Sequence, residues 1–347
     1  MSIVPGYAAF DSASPLRPYS LQRRDPGPTD VAVEIKYCGI CHTDLHFVKN
    51  DLGMTKYPLV PGHEIAGIVE RVGSAVTRFQ PGDHVGVGCL VNSCRQCASC
   101  RKDEEQFCPN LIMTYSSVDR DGSVTHGGYS TKITVDQDFV LRMPNVLPLE
   151  RAAPLLCAGI TTYSPLRTWG AGPGTRLAVI GLGGLGHMAV KLGSAMGAEV
   201  TVLSTSEGKR DDALRLGANH FLVTRNKEAI ASAAGGFDLI INTVSAAHEL
   251  REHINLLAVD GTMVLLGIAI QPMPVSSIPL IFGRRRLAGS LIGGIAQTQE
   301  MLDFCARKGV TAEVEVIAAG RINEAYERMG RSDVRYRFVI DVATMKS

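Results

Sequence analysis

The sequence has almost no excess charge. Lys and Arg number 35 against 34 Asp and Glu, a formal net charge of +1. That balance favours neither nucleic acid nor an anionic membrane as a partner. Long apolar runs are also missing. No window approaches the about 18 uninterrupted apolar residues that a membrane-spanning helix requires, so no span is expected. The opening stretch MSIVPGYAAFDSASP lacks a basic start followed by an apolar run. A secretory signal is therefore not expected, and a cytoplasmic location is. Internal repeats and low-complexity segments are absent too. What remains is 45% hydrophobic and 20% charged residues, the profile of a soluble globular protein, and a length of 347 residues that suggests about two domains.

Cysteine is clustered. In SCRQCASCRKDEEQFC, Cys94, Cys97 and Cys100 are spaced by three and Cys108 follows eight later. In a reducing compartment, clustered thiols bind metal or do chemistry more often than they form disulfides. A redox pair needs two cysteines, whereas four thiolates at short spacing suit tetrahedral zinc in a closed structural site. The loop reads as a zinc clip that takes no part in chemistry.

The first part of the chain is strand-rich and punctuated by glycine, with DVAVEIK (30–36), EIAGIVERVG and DHVGVGC as short β-like runs. From about residue 150 the pattern changes. Apolar runs RLAVI (176–180), EVTVLS (199–204), HFLV (220–223), DLIIN (238–242), TMVLL (262–266) and LAGSL (287–291) alternate with helical segments. Alternation of this kind indicates an α/β doubly wound parallel sheet. The tail carries a helix, TQEMLDFCARKG, and a last strand, YRFVID, that could return to the first domain.

GLGGLG, Gly181, Leu182, Gly183, Gly184, Leu185 and Gly186, follows the strand RLAVI and opens a helix. In that context the pattern is a dinucleotide fingerprint: the first glycine makes the turn, the second admits a pyrophosphate, the third lets helix and strand pack. The next strand selects the dinucleotide. Ser204 stands where an acidic residue would bind a ribose 2′-hydroxyl, and Thr205, Ser206 and Lys209 follow. Hydroxyls and a cation suit a 2′-phosphate, hence NADP. Glu207 is the counter-indication, since it could reach a ribose.

A second metal set is suggested by CGICHTDLH, PGHEIAG and PLLCAGIT. Two thiolates, an imidazole and an open position make a catalytic zinc site, although spacing alone does not bring Cys157 to Cys41. Taken in order, these motifs with the clip, GLGGLGH and STSEGK resemble the zinc-dependent medium-chain alcohol dehydrogenases, cinnamyl-alcohol-dehydrogenase branch. The resemblance implies a GroES-like β-rich catalytic domain (1–152), a Rossmann NADP-binding domain (153–293) and a C-terminal return to the first (294–347). It makes Cys41, His63 and Cys157 catalytic zinc ligands, with Glu64 behind the metal as a transient ligand. It makes Cys94, Cys97, Cys100 and Cys108 the structural zinc set, two Zn per chain. Thr43 would take the substrate proton and His46 would end the relay. Asp44 would support the ligand histidine. His42 would stand near the pyrophosphate, and Thr161, Thr243, Gly267, Ser290, Leu291 and Ile292 at nucleotide-contacting positions. Arg337 would reach the pyrophosphate or be an ordinary surface arginine.

One departure concerns the substrate. Plant relatives carry a tryptophan shortly after the last clip cysteine; here the stretch reads CPNLIMTYSS, with Met113 in its place, and Trp169 lies elsewhere. A flexible methionine adapts to varied shapes, so a broad bacterial-type aldehyde reductase is expected, acting on a small alcohol or aldehyde, as a homodimer. Two rivals remain: a zinc-free quinone or enoyl reductase of the same fold, which would lack both ligand sets, and a zinc-ribbon nucleic-acid binder, which the charge balance and the nucleotide fingerprint oppose. The one dense basic run, GRRRLAG, reads as a solvated or subunit-interface turn.

Overall fold

The structure is a computed structural model and describes residues 2–345. The chain divides into two compact units: the residues up to Cys157 together with those from Gly293 onward, and Ala158–Ile292. The breaks fall at Cys157/Ala158 and Ile292/Gly293, close to the 152/153 and 293/294 boundaries expected from the sequence.

The first unit is organised by the strand Asp30–Gly39. One of its edges pairs antiparallel with Ile65–Val72. The other edge is shared: Lys132–Asp136 takes residues 30–34, and Arg337–Asp341 takes residues 37–39. His84–Val87, Leu141–Arg142 and Val314–Ala318 complete a seven-stranded sheet. DVAVEIKYCG is buried at most positions instead of alternating, as in a central strand whose two faces are both covered. The tail does return, and its last strand lies directly beside Cys38 and Gly39. An antiparallel ribbon, Ser2–Ala8 with Arg17–Arg23, was not foreseen from the sequence. Its prolines, Pro5 and Pro18, weaken the strand pattern.

The four-cysteine loop contains two short 3₁₀ turns, Cys100–Lys102 and Glu105–Phe107. Between them and the start of the helix Ile295–Lys308 there is a close fit. The Ile295 N–H donates to Glu105 Oε2 at 3.0 Å, satisfying one of the helix's free N-terminal donors. A Cβ on Gly294 would collide with the Asp103 carbonyl oxygen. The helix ends in the left-handed Gly309.

The second unit is one six-stranded, wholly parallel sheet. Its strand order is His220–Val223, Glu199–Ser204, Arg176–Ile180, Phe237–Asn242, Leu257–Leu265, Arg286–Gly289. In chain order that is 3-2-1-4-5-6, the doubly wound order of a dinucleotide-binding sheet. Leu177, Ala178 and Val179 of the first strand are fully buried, as continuous apolar runs in a covered parallel sheet should be. The edge strand stops at Gly289, shorter than the expected LAGSL. Ser290–Ile292 therefore lies in the following loop, where Ile292 has φ +33°.

Candidate active site

The helix His42–Val48 begins at Cys41 because Asp44, its third residue, folds back to accept the Cys41 backbone N–H at 2.9 Å. The same buried carboxylate accepts the Gly62 N–H at 3.0 Å and the Tyr129 hydroxyl at 3.3 Å, and lies 3.2 Å from His63 Nδ1. The Tyr115 hydroxyl is 3.1 Å from the same ring nitrogen. With Nδ1 so engaged, Nε2 is the nitrogen left for a metal. One carboxylate thus ties together the turns that carry Cys41 and His63.

Cys41, His63, Glu64 and Cys157 are all buried, and one donor atom from each lies within 4.8 Å of the others. The Cys41 and Cys157 sulfurs are 3.9 Å apart. A disulfide would require about 2.05 Å, whereas the edge of a tetrahedron with zinc–sulfur bonds of about 2.3 Å is about 3.8 Å. Cys41 is pushed well below the ordinary thiol range, chiefly by its bond with Cys157, and Cys157 is raised by the same bond. Glu64 is driven up to about 8 by burial. Its Oε1 pairs with the Arg337 guanidinium, and its buried Oε2 has no hydrogen-bond partner among the described residues. Together with Asp44 the set places two buried carboxyl groups and two thiols around one buried arginine, acidic groups that a dication would offset. Zinc fits these residues.

The clip satisfies the same tests. Cys94, Cys97, Cys100 and Cys108 place their sulfurs within 4.8 Å of one another, with Cys97–Cys100 at 3.5 Å and Cys94–Cys100 at 3.9 Å. Backbone N–H groups point at the sulfurs: Cys97 N at Cys94, Cys100 N at Cys97, and Cys94 N and Asn110 N at Cys108. Such donors favour thiolate, and those of Gln96 and Cys97 lower Cys94 to about 6. All four vertices are protein sulfurs, which leaves no position for a substrate.

In the second unit, Gly181 has φ +89° and makes the turn after the strand Arg176–Ile180. Gly183 has open space where a Cβ would be, whereas at Gly186 a Cβ would strike the Gly181 carbonyl oxygen. The three glycines thus serve turn, ligand approach and packing, and the helix Gly186–Met196 presents its N-terminus there. Thr243 donates its hydroxyl to Ile180 O at 2.8 Å, bracing the turn, and Gly267 packs against the Val244 carbonyl. Ser204 is buried at the strand end and accepts the Ser206 N–H at 3.3 Å. Thr205 and Ser206 are exposed. The Lys209 ammonium donates to Leu182 O at 3.0 Å, within the glycine loop. Thr161 is buried on the helix Ala158–Thr168.

Comparison with known proteins gives one answer. Residues 27–145 match the alcohol dehydrogenase GroES-like domain and residues 184–307 the zinc-binding dehydrogenase family. NADP-dependent alcohol dehydrogenase C of Mycobacterium tuberculosis is 59% identical over 346 residues, 99% of this chain and all of that one. This chain belongs to the zinc-dependent medium-chain alcohol dehydrogenases. Among solved structures, a cinnamyl alcohol dehydrogenase of Sorghum bicolor superposes with TM-score 0.97 at 48% identity, covering 100% of both chains. A cinnamyl alcohol dehydrogenase from Helicobacter pylori, complexed with NADP(H), gives 0.91 at 40% identity and 99% coverage of each.

Within this alcohol dehydrogenase, Thr43 and His46 lie three residues apart on one helix, with Thr43 Oγ1 3.6 Å from the Cys41 sulfur. His46 Nδ1 is 2.8 Å from Asp51 Oδ2. His42 is exposed. Arg337 differs from both readings made from the sequence. It is 4% exposed, and its guanidinium is engaged by Glu64 because the strand Arg337–Asp341 docks beside Gly39. Two further residues beside the cluster, Tyr115 and Cys89, are not distinguished by any motif. Tyr115 is 3% exposed and bonded to His63; a tyrosine just after the clip that must bury its hydroxyl is the one signal it offered. Cys89 hydrogen-bonds to Cys157, which lowers its thiol, and nothing in the run DHVGVGC distinguishes it from a core residue.

Proposed function

We propose that this enzyme interconverts primary alcohols and aldehydes with NADP(H), reducing aldehydes in cells. The convergence of Cys41, His63, Glu64 and Cys157 on one point, with Asp44 behind the histidine, carries the reading. Zinc at that point supplies a Lewis acid that acidifies an alcohol hydroxyl or polarises an aldehyde carbonyl, and NADP(H) supplies or accepts the hydride. Cys41, His63 and Cys157 hold the metal, and Asp44 fixes the imidazole. Thr43 accepts the hydroxyl proton and His46, steadied by Asp51, passes it to solvent; in reduction the same groups return it. Glu64, kept by Arg337, stands as an alternative ligand. The glycine loop holds the pyrophosphate, and Ser204, Thr205, Ser206 and Lys209 receive the 2′-phosphate. Met113, in place of a tryptophan, supports a broad range of aldehydes.

The helix Ile278–Gly283 exposes Ile281 and Phe282 at 72% and 87% beside the edge strand Arg286–Gly289. That apolar edge supports a homodimer. No helix among the described residues is long and apolar enough to cross a membrane, and a cytoplasmic location is part of the proposal.

The test is NADPH oxidation over aromatic, terpenoid and straight-chain aldehydes, with metal analysis of the same sample. Two zincs per chain and turnover of several aldehyde classes are expected. A metal-free active protein would point to a quinone or enoyl reductase instead, and turnover of a single aldehyde class would refute the broad range.

A further inference from the structure

Glu207 is the one carboxylate in the stretch from Ser204 to Arg210, the loop that follows the second strand of the parallel sheet. A free carboxylate there is what a ribose 2′-hydroxyl selects, and what a 2′-phosphate meets as a like charge. Arg210 takes both of its oxygens. Nη2 donates to Oε2 at 3.2 Å, and Nε donates to Oε1. The arginine is itself anchored outside the loop: its guanidinium lies over the Phe221 ring, 4.9 Å from the centroid, and Nη1 donates to Phe221 O at 3.5 Å. Phe221 belongs to the neighbouring strand His220–Val223, so the clamp is tied to the sheet. The bond to Arg210 also draws the Glu207 carboxyl below its ordinary range. Lys209 turns the other way, to Leu182 O in the glycine loop. Two consecutive cations are thus used differently.

We infer that Arg210 is a positioning residue for cofactor preference. By occupying both oxygens of Glu207, it keeps the loop's carboxylate from accepting the ribose hydroxyl of NADH and from repelling the 2′-phosphate of NADPH. This rests on the NADP(H) reading above.

The experiment measures kcat and KM for NADPH and NADH in the parent, Arg210→Ala, Glu207→Gln and the double variant. Exposed ion pairs are weak individually, so Arg210→Ala should lower the NADPH/NADH ratio of kcat/KM by about three- to tenfold. The change should lie in KM, with kcat at saturation within about twofold of the parent. The double variant should regain the parent's ratio within about twofold, because no carboxylate is left to restrain. Glu207→Gln alone should keep the parent's preference. If the double variant stays as low as Arg210→Ala, Arg210 touches the phosphate itself and the inference fails. It fails equally if Arg210→Ala leaves the ratio unchanged. A parent that prefers NADH overturns the cofactor reading, and the parent measurement alone reveals it.

Discussion

Asp44 stands outside the Cys41, His63, Glu64 and Cys157 cluster and yet ties it together. Its carboxylate joins two backbone N–H groups, a tyrosine hydroxyl and the His63 ring. Asp44→Asn keeps the shape and removes the charge that holds Nδ1–H. Partners of this kind are worth about 10–100-fold in metal affinity or activity. The variant should release zinc to a competing chelator that much more readily, and added zinc should partly restore its turnover; parental zinc retention would show that His63 is oriented by something else. On the proposed function, Cys157→Ala removes a ligand outright. Lewis-acid stabilisation is worth several kcal/mol, so turnover should fall by roughly 10³-fold or more, with NADPH binding retained by fluorescence titration. His46→Ala should be milder, about 10²-fold, because solvent can replace the end of a relay. Its deficit in alcohol oxidation should shrink as pH rises, and a pH-independent deficit would argue against the relay. Arg337 shows where sequence stops at this scale. Its ion pair with Glu64 spans 273 positions, and no local pattern distinguishes a buried arginine from an exposed one.

Elements were legible in proportion to how regularly they bury themselves. The inner parallel strands, covered on both faces, read as unbroken apolar runs, and five of the six strands lay within a residue or two of where the pattern put them; Leu257–Leu265 began earlier than TMVLL. Leu141–Arg142, two residues long, and the proline-bearing ribbon Ser2–Ala8 with Arg17–Arg23 carry too little periodicity to be seen. The four-cysteine cluster was legible from spacing alone, but its neighbours were not: Glu105 caps the helix Ile295–Lys308, and Gly294 packs on the Asp103 carbonyl. Cys100→Ser should lose about one zinc per chain and lower the melting temperature, because structural metal contributes folding energy directly. Hydrogen exchange at the first turn of Ile295–Lys308 should accelerate in the same variant. Unchanged protection there would mean that the clip stands apart from the helix it touches.

At the scale of the whole molecule, the resemblance found in a handful of motifs extends over essentially the entire chain. The interleaving of the two units is a property no motif announces. Ala158–Ile292 is continuous, whereas the sheet of the other unit takes its strand Arg337–Asp341 from near the end of the chain and seats it against Cys38 and Gly39, made some three hundred positions earlier. On a ribosome, therefore, the nucleotide-binding unit has all its strands in hand while the metal-bearing unit still presents a bare edge and an unpartnered Glu64. Domains generally fold as units during synthesis, and open edges invite aggregation. Nascent chains stalled with Gly330 just outside the exit tunnel should show residues 158–292 resistant to protease and residues 30–39 still open to it. Resistance of both at that length would contradict this order. The buried Glu64–Arg337 pair thus forms only once residue 337 has emerged, and a chain truncated before that strand should keep its nucleotide affinity while its Cys41, His63 and Cys157 cluster holds zinc poorly.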